Sequence, residues 1–313
     1  MVVKLRITQV FIFLLVISCT NHNQRFEQHN SDNLVFQVKF NPKLDKQYIF
    51  QNSSTTIVEQ EVNSEAVISE NKLDSKVAYY FSPNSSGSLN ADVKYIQFKL
   101  FAKTGEIEKE FDAANILGSS NVSEKIFSVF NDAELKFVID SVGNVQLLSG
   151  HKELIEKMYK IADGNPEALQ MLNGSIRQYV TEGFFKQAAE QNLKIFSNRP
   201  LKIGDTIQHS NSLNAGIKFK TETVYKLTSV VDGTATIETV ANVDISKQEL
   251  EVEGQKVIAS LNGKQEGELK INIATGLIQN SNSLLKIKGN LEVMGRDIPI
   301  KITMENSIRQ IKH

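Results

Sequence analysis

Few side chains in this sequence have the type and spacing that chemistry requires. Among 313 residues there is one cysteine, Cys19, which excludes an intrachain disulfide and a zinc or iron–sulfur site built from several thiolates. The five histidines leave only His151 and His209 for the body of the chain, since the others lie in the first 29 residues or at the carboxyl terminus. We predict that His151 caps a helix or is solvated, and that His209 lies at the surface.

Pairs of carboxylates are the next candidates for chemistry. Glu251 and Glu253 lie two residues apart, as do Glu59 and Glu61, so each pair shares one face of a strand. Such pairs serve glycosidases or bind calcium, but on strands they are more often solvated, and we predict that role here. The sequence has no His-Glu-x-x-His, Gly-x-Ser-x-Gly, phosphate-binding or dinucleotide motif. We therefore predict no catalytic, cofactor-binding or metal-binding residue, and no cofactor.

The amino terminus has the pattern of an export signal. Lys4 and Arg6 precede the apolar run Val10–Ile17, which Ser18 and Cys19 follow. Eight apolar residues span about 12 Å as a helix, whereas the hydrocarbon core of a bilayer is about 30 Å thick. The run therefore predicts a signal peptide over residues 1–18 and not a membrane-spanning helix.

The sequence Val16-Ile17-Ser18-Cys19 resembles the lipobox of bacterial lipoproteins, although that family usually has leucine at the position of Val16. The resemblance implies that Cys19 becomes the new amino terminus and that its thiolate accepts a diacylglyceryl group. Two or more acyl chains hold a protein stably at a membrane. Residues 19–33 are polar and without periodicity, which predicts a flexible tether.

Charge does not favour a nucleic-acid partner. The chain carries 35 basic and 36 acidic side chains, and removal of residues 1–18 leaves 33 and 36, a net charge of about −3. We expect the membrane to be the partner, through acylated Cys19, with a lipid or protein as a possible second partner. The resemblance to lipoproteins implies a lipid-anchored protein of the cell envelope, at the outer membrane and facing the periplasm.

Period-two alternation predicts antiparallel strands in two regions, a first β lobe over residues 34–150 and a second over residues 199–313. A helical spacing of apolar residues at 120–132 interrupts the first lobe. Asp232-Gly233 and Asn262-Gly263 predict two-residue hairpins in the second. Weak likenesses between the two regions suggest an internal duplication.

Residues 151–198 predict a helical insert packed on the sheet. His151 to Ala162 reads as an amphipathic helix, and Asn165 as an N-cap with Pro166 at the first helical position. A second apolar stripe runs from Leu169 to Ala188. The fold class that we predict is α+β, mostly antiparallel β in two lobes with this insert on the sheet.

The order of lipobox, polar tether, β lobe, helices and β lobe resembles uncharacterised envelope lipoproteins of the Bacteroidetes type. A looser resemblance is to the half-barrel lipoprotein-carrier superfamily, whose curved antiparallel sheet and covering helices enclose acyl chains. These resemblances imply a binding role and carry no catalytic residue onto this sequence.

Our leading hypothesis is a non-enzymatic lipoprotein that binds a hydrophobic ligand or an envelope partner, since both β regions are rich in aromatic and aliphatic residues. One alternative is a periplasmic hydrolase of glycans or esters, with Glu251 and Glu253, or a serine near His209, in catalytic roles. Another is a structural component of the envelope.

Overall fold

One antiparallel sheet of thirteen strands dominates the fold. It is seen in a computed structural model, which describes residues 25–27, 35–44, 46–62, 65–85, 87–115, 121–131, 133–140, 144–173, 180–183, 185–186, 189, 200–214, 218–252 and 255–311. The strands are β1 (Arg25–Glu27), β2 (Gln47–Val62), β3 (Glu65–Pro83), β4 (Leu89–Thr104), β5 (Ile107–Asp112), β6 (Glu134–Ile139), β7 (Val145–Ser149), β8 (Thr206–Asn214), β9 (Lys218–Val231), β10 (Thr234–Val252), β11 (Gln255–Asn272), β12 (Ile278–Val293) and β13 (Arg296–Ile311).

The order of the strands joins the two β regions into this one sheet. Neighbours follow the order β1-β8-β9-β10-β11-β12-β13-β2-β3-β4-β6-β7, and β5 pairs with β4 at its end. The link is the pairing of β13 with β2, from Ile300 opposite Gln60 to Ile311 opposite Ile49. Three residues of the predicted tether form β1, which pairs with β8. The mostly antiparallel β fold is confirmed, while the two lobes and the internal duplication stay predictions.

The long central strands have one buried and one charged side. On β12, Leu285, Ile287, Leu291 and Val293 are buried, whereas Lys286 and its even-numbered neighbours point the other way and are mostly exposed. This alternation is the pattern of an antiparallel sheet with one solvated face. We call the buried side the inner face; it carries the even-numbered residues of β2 and β13, the odd-numbered residues of β3 and β11, and those of β12 from Ser281 onward. On β10 the inner residues are odd-numbered up to Ile245 and even-numbered from Gln248 onward, because a bulge shifts the register between them.

The structure gives the bounds of three α-helices between β5 and β8, where the apolar spacing predicts helices. They are α1 (Val122–Ser128), α2 (His151–Ala162) and α3 (Pro166–Met171). Asn165 caps α3 by accepting a hydrogen bond from the backbone N–H of Ala168 at 2.9 Å, which confirms the predicted N-cap. Part of the stripe from Leu169 to Ala188 falls outside the described residues. No helix in the described part of the chain is long and apolar enough to cross a bilayer.

One of the two predicted hairpins is wrong. Asp232 and Gly233 form the turn between β9 and β10 with φ values of 48° and 73°, as a type I′ turn requires. Asn262 and Gly263 instead lie inside β11 and pair with Lys288 and Ile287 of β12. A Cβ at Gly263 would lie 2.3 Å from the backbone oxygen of Lys286, so glycine serves a close approach of two strands and not a turn.

The segment before β2 lies against one end of the sheet. Phe36 exchanges backbone hydrogen bonds with Leu201, and the N–H of Asn41 donates to the oxygen of Thr275 at 2.9 Å. Further along, the Phe40 ring packs edge-on against Phe81 with centroids 5.6 Å apart. This segment therefore contacts the loop before β8, the β11–β12 turn and β3.

Candidate ligand-binding face

Two apolar clusters occupy most of the inner face. The aromatic cluster lies under the helices and includes Phe50, Tyr79, Phe98 and Phe137 of the strands together with Met158 of α2. The aliphatic cluster is formed by strands alone, and its members are Val58, Val243, Ile245, Val257, Ala259, Leu261, Leu285, Ile287, Leu291, Val293, Ile300, Ile302 and Met304. A smaller third cluster, around Ile207 and Ile237, lies beneath Phe36 and Val38. The described helices α1–α3 therefore pack at one end of this face.

A row of small and polar residues separates the clusters. Reading across β10, β11, β12, β13 and β2, the residues directly opposite one another are Thr239, Gly267, Ser283, Asn306 and Ser54. We call these five residues the polar belt. All are only partly buried, whereas Leu285 and Met304, which lie two residues along β12 and β13 from Ser283 and Asn306, are buried. The inner face is thus least closely covered at the belt.

The same row continues onto β3 and β4 with apolar residues. Ser54 lies opposite Leu73, and Leu73 lies opposite Leu100. These two leucines and Ile308 of β13 pack against the aromatic cluster but keep part of their surface accessible. One continuous row therefore offers a polar half and an apolar half, both accessible, on a face that is otherwise mostly buried.

Buried polar side chains border the belt. Thr56 and Asn71 are cross-strand partners on β2 and β3 and are 3% and 6% exposed, and the Nδ2 of Asn71 has no hydrogen-bond partner among the described residues. Asn52 donates to Ser75 at 3.4 Å, while its Oδ1 is buried without a partner in the same set. A buried amide that lacks its partner costs about 1–3 kcal/mol, so these two side chains can gain from a bound polar group.

The inner face is almost free of charge. Among the described inner positions of β2, β4 and β10–β12, of β3 from Val67 onward and of β13 from Ile298 onward, there is no Asp, Glu, Lys or Arg. Burial, followed by the nearby Tyr79 hydroxyl, raises the pKa of Tyr95 on this face, which keeps that hydroxyl neutral. The charges lie on the opposite side, for example in the ion pair of Lys264 and Glu266 at 2.6 Å.

The residues singled out in the sequence do not form a cluster here. The prediction of a surface position for His209 is wrong: it is buried on β8, and its ring lies 5.4 Å from that of Tyr225. His151 is the first residue of α2 and is half-buried. Glu59 and Glu61 are exposed, as predicted. In the described residues, no three His, Cys, Asp or Glu side chains are grouped so that they could hold a metal.

Two of the predicted positions fall outside what the structure describes. Cys19 and Glu253 are outside the described residues, and of Glu251 only the backbone, in β10, is described. The acylation of Cys19 therefore stays a prediction. Sequence reasoning also missed the polar belt, for which there was a signal: Asn52, Ser54 and Thr56 are polar at the positions where the alternation of β2 calls for apolar residues.

Residues 86–278 match a family of unknown function, DUF6263. The chain belongs to this family. The DUF6263 match starts three residues before β4 and ends at the first residue of β12. It therefore includes the helices, β4–β11, and Thr239 and Gly267 of the belt, whereas Ser54, Asn71 and Asn306 lie outside it. No curated protein matches the chain.

Two solved structures illustrate distant likenesses. A structure described as lipid–protein interactions in lipovitellin aligns with a TM-score of 0.46 and 9% identity over 87% of this chain, which spans 25% of the lipovitellin chain. The Pseudomonas aeruginosa protein OccK5 (OpdH) aligns with a TM-score of 0.25 and 5% identity, over 87% of this chain and 100% of its own. TM-scores this low do not establish a shared fold.

Proposed function

We propose that this protein is a non-enzymatic binding protein for a hydrophobic ligand, which it holds against the inner face where the polar belt continues into Leu73 and Leu100. The observation that supports this is the accessibility of Leu73, Leu100 and Ile308 on a face whose two ends are buried. Aliphatic side chains inside a well-packed protein normally touch other protein atoms on all sides. An apolar ligand would cover these three and complete the face.

The free energy available to such a ligand is adequate. Removing apolar surface from water contributes about 25 cal/mol per Å², or about 1.5–3 kcal/mol for a leucine-sized side chain. Leu73 and Leu100 are direct cross-strand neighbours, and Ile308 lies on β13, two strands from Leu73. A single apolar chain lying across these strands could therefore contact all three at once.

The test compares two aliphatic positions on β3 that point to opposite sides. Leu73→Gln places an amide at the proposed site, whereas Ile68→Gln changes a residue that is 55% exposed on the outer side. We expect Leu73→Gln to weaken binding of a fluorescent fatty-acyl probe about tenfold or more, and Ile68→Gln to leave it unchanged. Far-UV circular dichroism of both variants verifies that the sheet is retained.

Native mass spectrometry of the purified, delipidated protein provides an independent measurement. Recovery of a bound lipid after incubation with an envelope lipid extract, and its loss in Leu73→Gln, supports the proposal. If the wild-type protein stays empty and does not bind the acyl probe, the hydrophobic-ligand function is rejected and binding of a protein partner becomes the better hypothesis.

We also propose that the mature protein begins at Cys19 and is anchored by acyl chains at the outer membrane, facing the periplasm. Support comes from the sequence alone: the short apolar run, Ser18 before the sole cysteine, and the polar residues that follow. Mass spectrometry of the amino-terminal peptide from membranes should show an acylated Cys19. Cys19→Ser should release the protein from the membrane fraction, and an unmodified Cys19 at its encoded position in the wild type would refute the anchor.

A further inference from the structure

We infer that the ligand of the inner face is a neutral amphiphile whose carbonyl group accepts a hydrogen bond from Asn71. This inference rests on the proposed function and specifies its ligand class. Three features of the face support it: the near absence of charge, the amide of Asn71, which has no partner among the described residues, and the position of that amide beside the accessible leucines.

The lack of charge selects against ionic ligands. A carboxylate or phosphate brought onto this face would lose its water, and at the described inner positions of β2, β3, β4 and β10–β12, and of β13 from Ile298 onward, there is no Lys or Arg to pair with it. Burying a charge without a partner costs several kcal/mol. The face should therefore discriminate against fatty-acid anions and phospholipid headgroups in favour of uncharged esters, amides or alcohols.

Asn71 supplies the hydrogen-bond donor that such a ligand needs. Asn71 is only 6% exposed, and its Nδ2 has no acceptor among the described residues. The neighbouring inner side chains are Thr56 opposite it and Ala102 on β4, neither of which carries a charge. A ligand carbonyl would satisfy this donor and relieve the cost of leaving it unpaired.

The position of Asn71 fits the amphiphilic character of the row. Asn71 and Leu73 are two residues apart on β3 and thus on the same face, about 7 Å from one another along the strand. A ligand whose carbonyl contacts Asn71 can therefore lay its apolar chain over Leu73 and Leu100 in the next row. Asn52, four residues along β2 from Thr56, offers the buried acceptor Oδ1 to a ligand hydroxyl or amide N–H.

The experiment measures three probes with the same sixteen-carbon chain at about pH 8, where a carboxyl group is ionised. The probes are a monoacylglycerol, the fatty-acid anion and the plain alkane, each displacing a fluorescent acyl probe from the full chain. We expect the monoacylglycerol to bind at least tenfold more tightly than the anion. Asn71→Leu should weaken the monoacylglycerol about tenfold and leave the alkane unaffected, and the exposed Asn262→Leu on β11 should change none of them.

The outcomes separate this inference from the proposed function. If none of the probes binds, the hydrophobic-ligand function itself fails. If the anion binds as tightly as the monoacylglycerol, or if Asn71→Leu weakens monoacylglycerol and alkane equally, the function stands and the inference about a neutral carbonyl ligand is overturned.

Discussion

The two apolar clusters of the inner face differ in composition and in what covers them. The aromatic cluster contains stacked and edge-on rings, such as Phe98 with Phe130 at 4.7 Å between centroids and Phe50 with Tyr79 at 5.5 Å, and it includes residues of α1 and α2. The aliphatic cluster contains no ring, and its members come from β2 and β10–β13 only.

The difference assigns different roles to the two ends of the sheet. Large rings fill the deep space between a sheet and a helix, so the aromatic cluster is a two-layer core of the usual kind. Branched aliphatic side chains on neighbouring strands pack against each other across a pleated face. The accessible surface lies between these ends, at the polar belt, which is why we place the ligand there and not under the helices.

The largest expected effect is in the aromatic cluster. Phe50 is fully buried and contacts Tyr79, so Phe50→Ala removes a ring from the core and leaves a cavity. We expect a loss of about 4 kcal/mol in the free energy of unfolding, measured by urea denaturation. Tyr80→Ala, an exposed aromatic position on β3, should cost less than about 1 kcal/mol. Equal losses at the two positions would mean that the cluster is not a packed core.

A somewhat smaller effect is expected in the aliphatic cluster. Leu285 is fully buried on β12, and Leu285→Ala should lower the free energy of unfolding by about 3 kcal/mol. The matched control is Met294→Ala, since Met294 is 76% exposed in the turn that follows β12. A loss below about 1 kcal/mol at Leu285 would show that this end of the face is loosely packed, and the ligand would then have to be sought there.

Close strand packing within the aliphatic half gives the next prediction. A Cβ at Gly263 would lie 2.3 Å from the Lys286 oxygen and 2.9 Å from the Ile287 Cα, so β11 and β12 must separate to accept Gly263→Ala. We expect a cost of about 2 kcal/mol in the same denaturation assay. Gly183→Ala, where the nearest atom would be 4.0 Å away, should be neutral or stabilising. A neutral Gly263→Ala would mean that the glycine serves no close approach.

Local patterns in the sequence predict the elements well and their assembly poorly. The helix His151–Ala162 and the capping Asn165 follow from apolar spacing and cap chemistry, which act within one or two turns. The pairing of β13 with β2 depends on contacts between chain segments more than two hundred residues apart, about which periodicity carries no information. The hairpin prediction for Asn262-Gly263 is wrong for the same reason, because Gly263 allows the close approach of β12, which local sequence does not reveal.

The candidate site was harder to predict than the fold. Its belt is assembled from single residues on five strands, and Ser54 or Asn306 alone looks like an ordinary surface residue. Only the register shows that they face the same side. His209 shows the converse error: polar neighbours in sequence suggested a surface position, but alternation directs its side chain inward, opposite Thr223.

The smallest expected effects are pKa changes at two carboxylates, one on the helix-covered part of the sheet and one on the part formed by strands alone. Lys99 lies 2.6 Å from Asp112 beside the helix-covered end, and this hydrogen bond, helped by the backbone N–H of Ala114, holds the pKa of Asp112 below its usual value. On the aliphatic half, the hydrogen bond from Lys264 likewise lowers the pKa of Glu266. The Asp112 side chain is only 15% exposed, whereas that of Glu266 is 62% exposed.

Because both pKa values are lowered by folding, each pair stabilises the protein above the unfolded-state pKa of about 4, and this contribution is lost as the pH falls through the lowered value. Salt screens exposed pairs more than partly buried ones. Raising the salt from about 0.05 M to about 0.5 M should therefore move the pKa of Glu266 toward its usual value more than that of Asp112, as followed by carboxyl NMR titration. Lys99→Met should raise the pKa of Asp112, and Lys264→Met that of Glu266, each without affecting the other. If salt moves the pKa values of Asp112 and Glu266 equally, the Lys99–Asp112 pair is no better protected from solvent than the Lys264–Glu266 pair. The contrast between the two parts of the sheet would then be confined to the inner face.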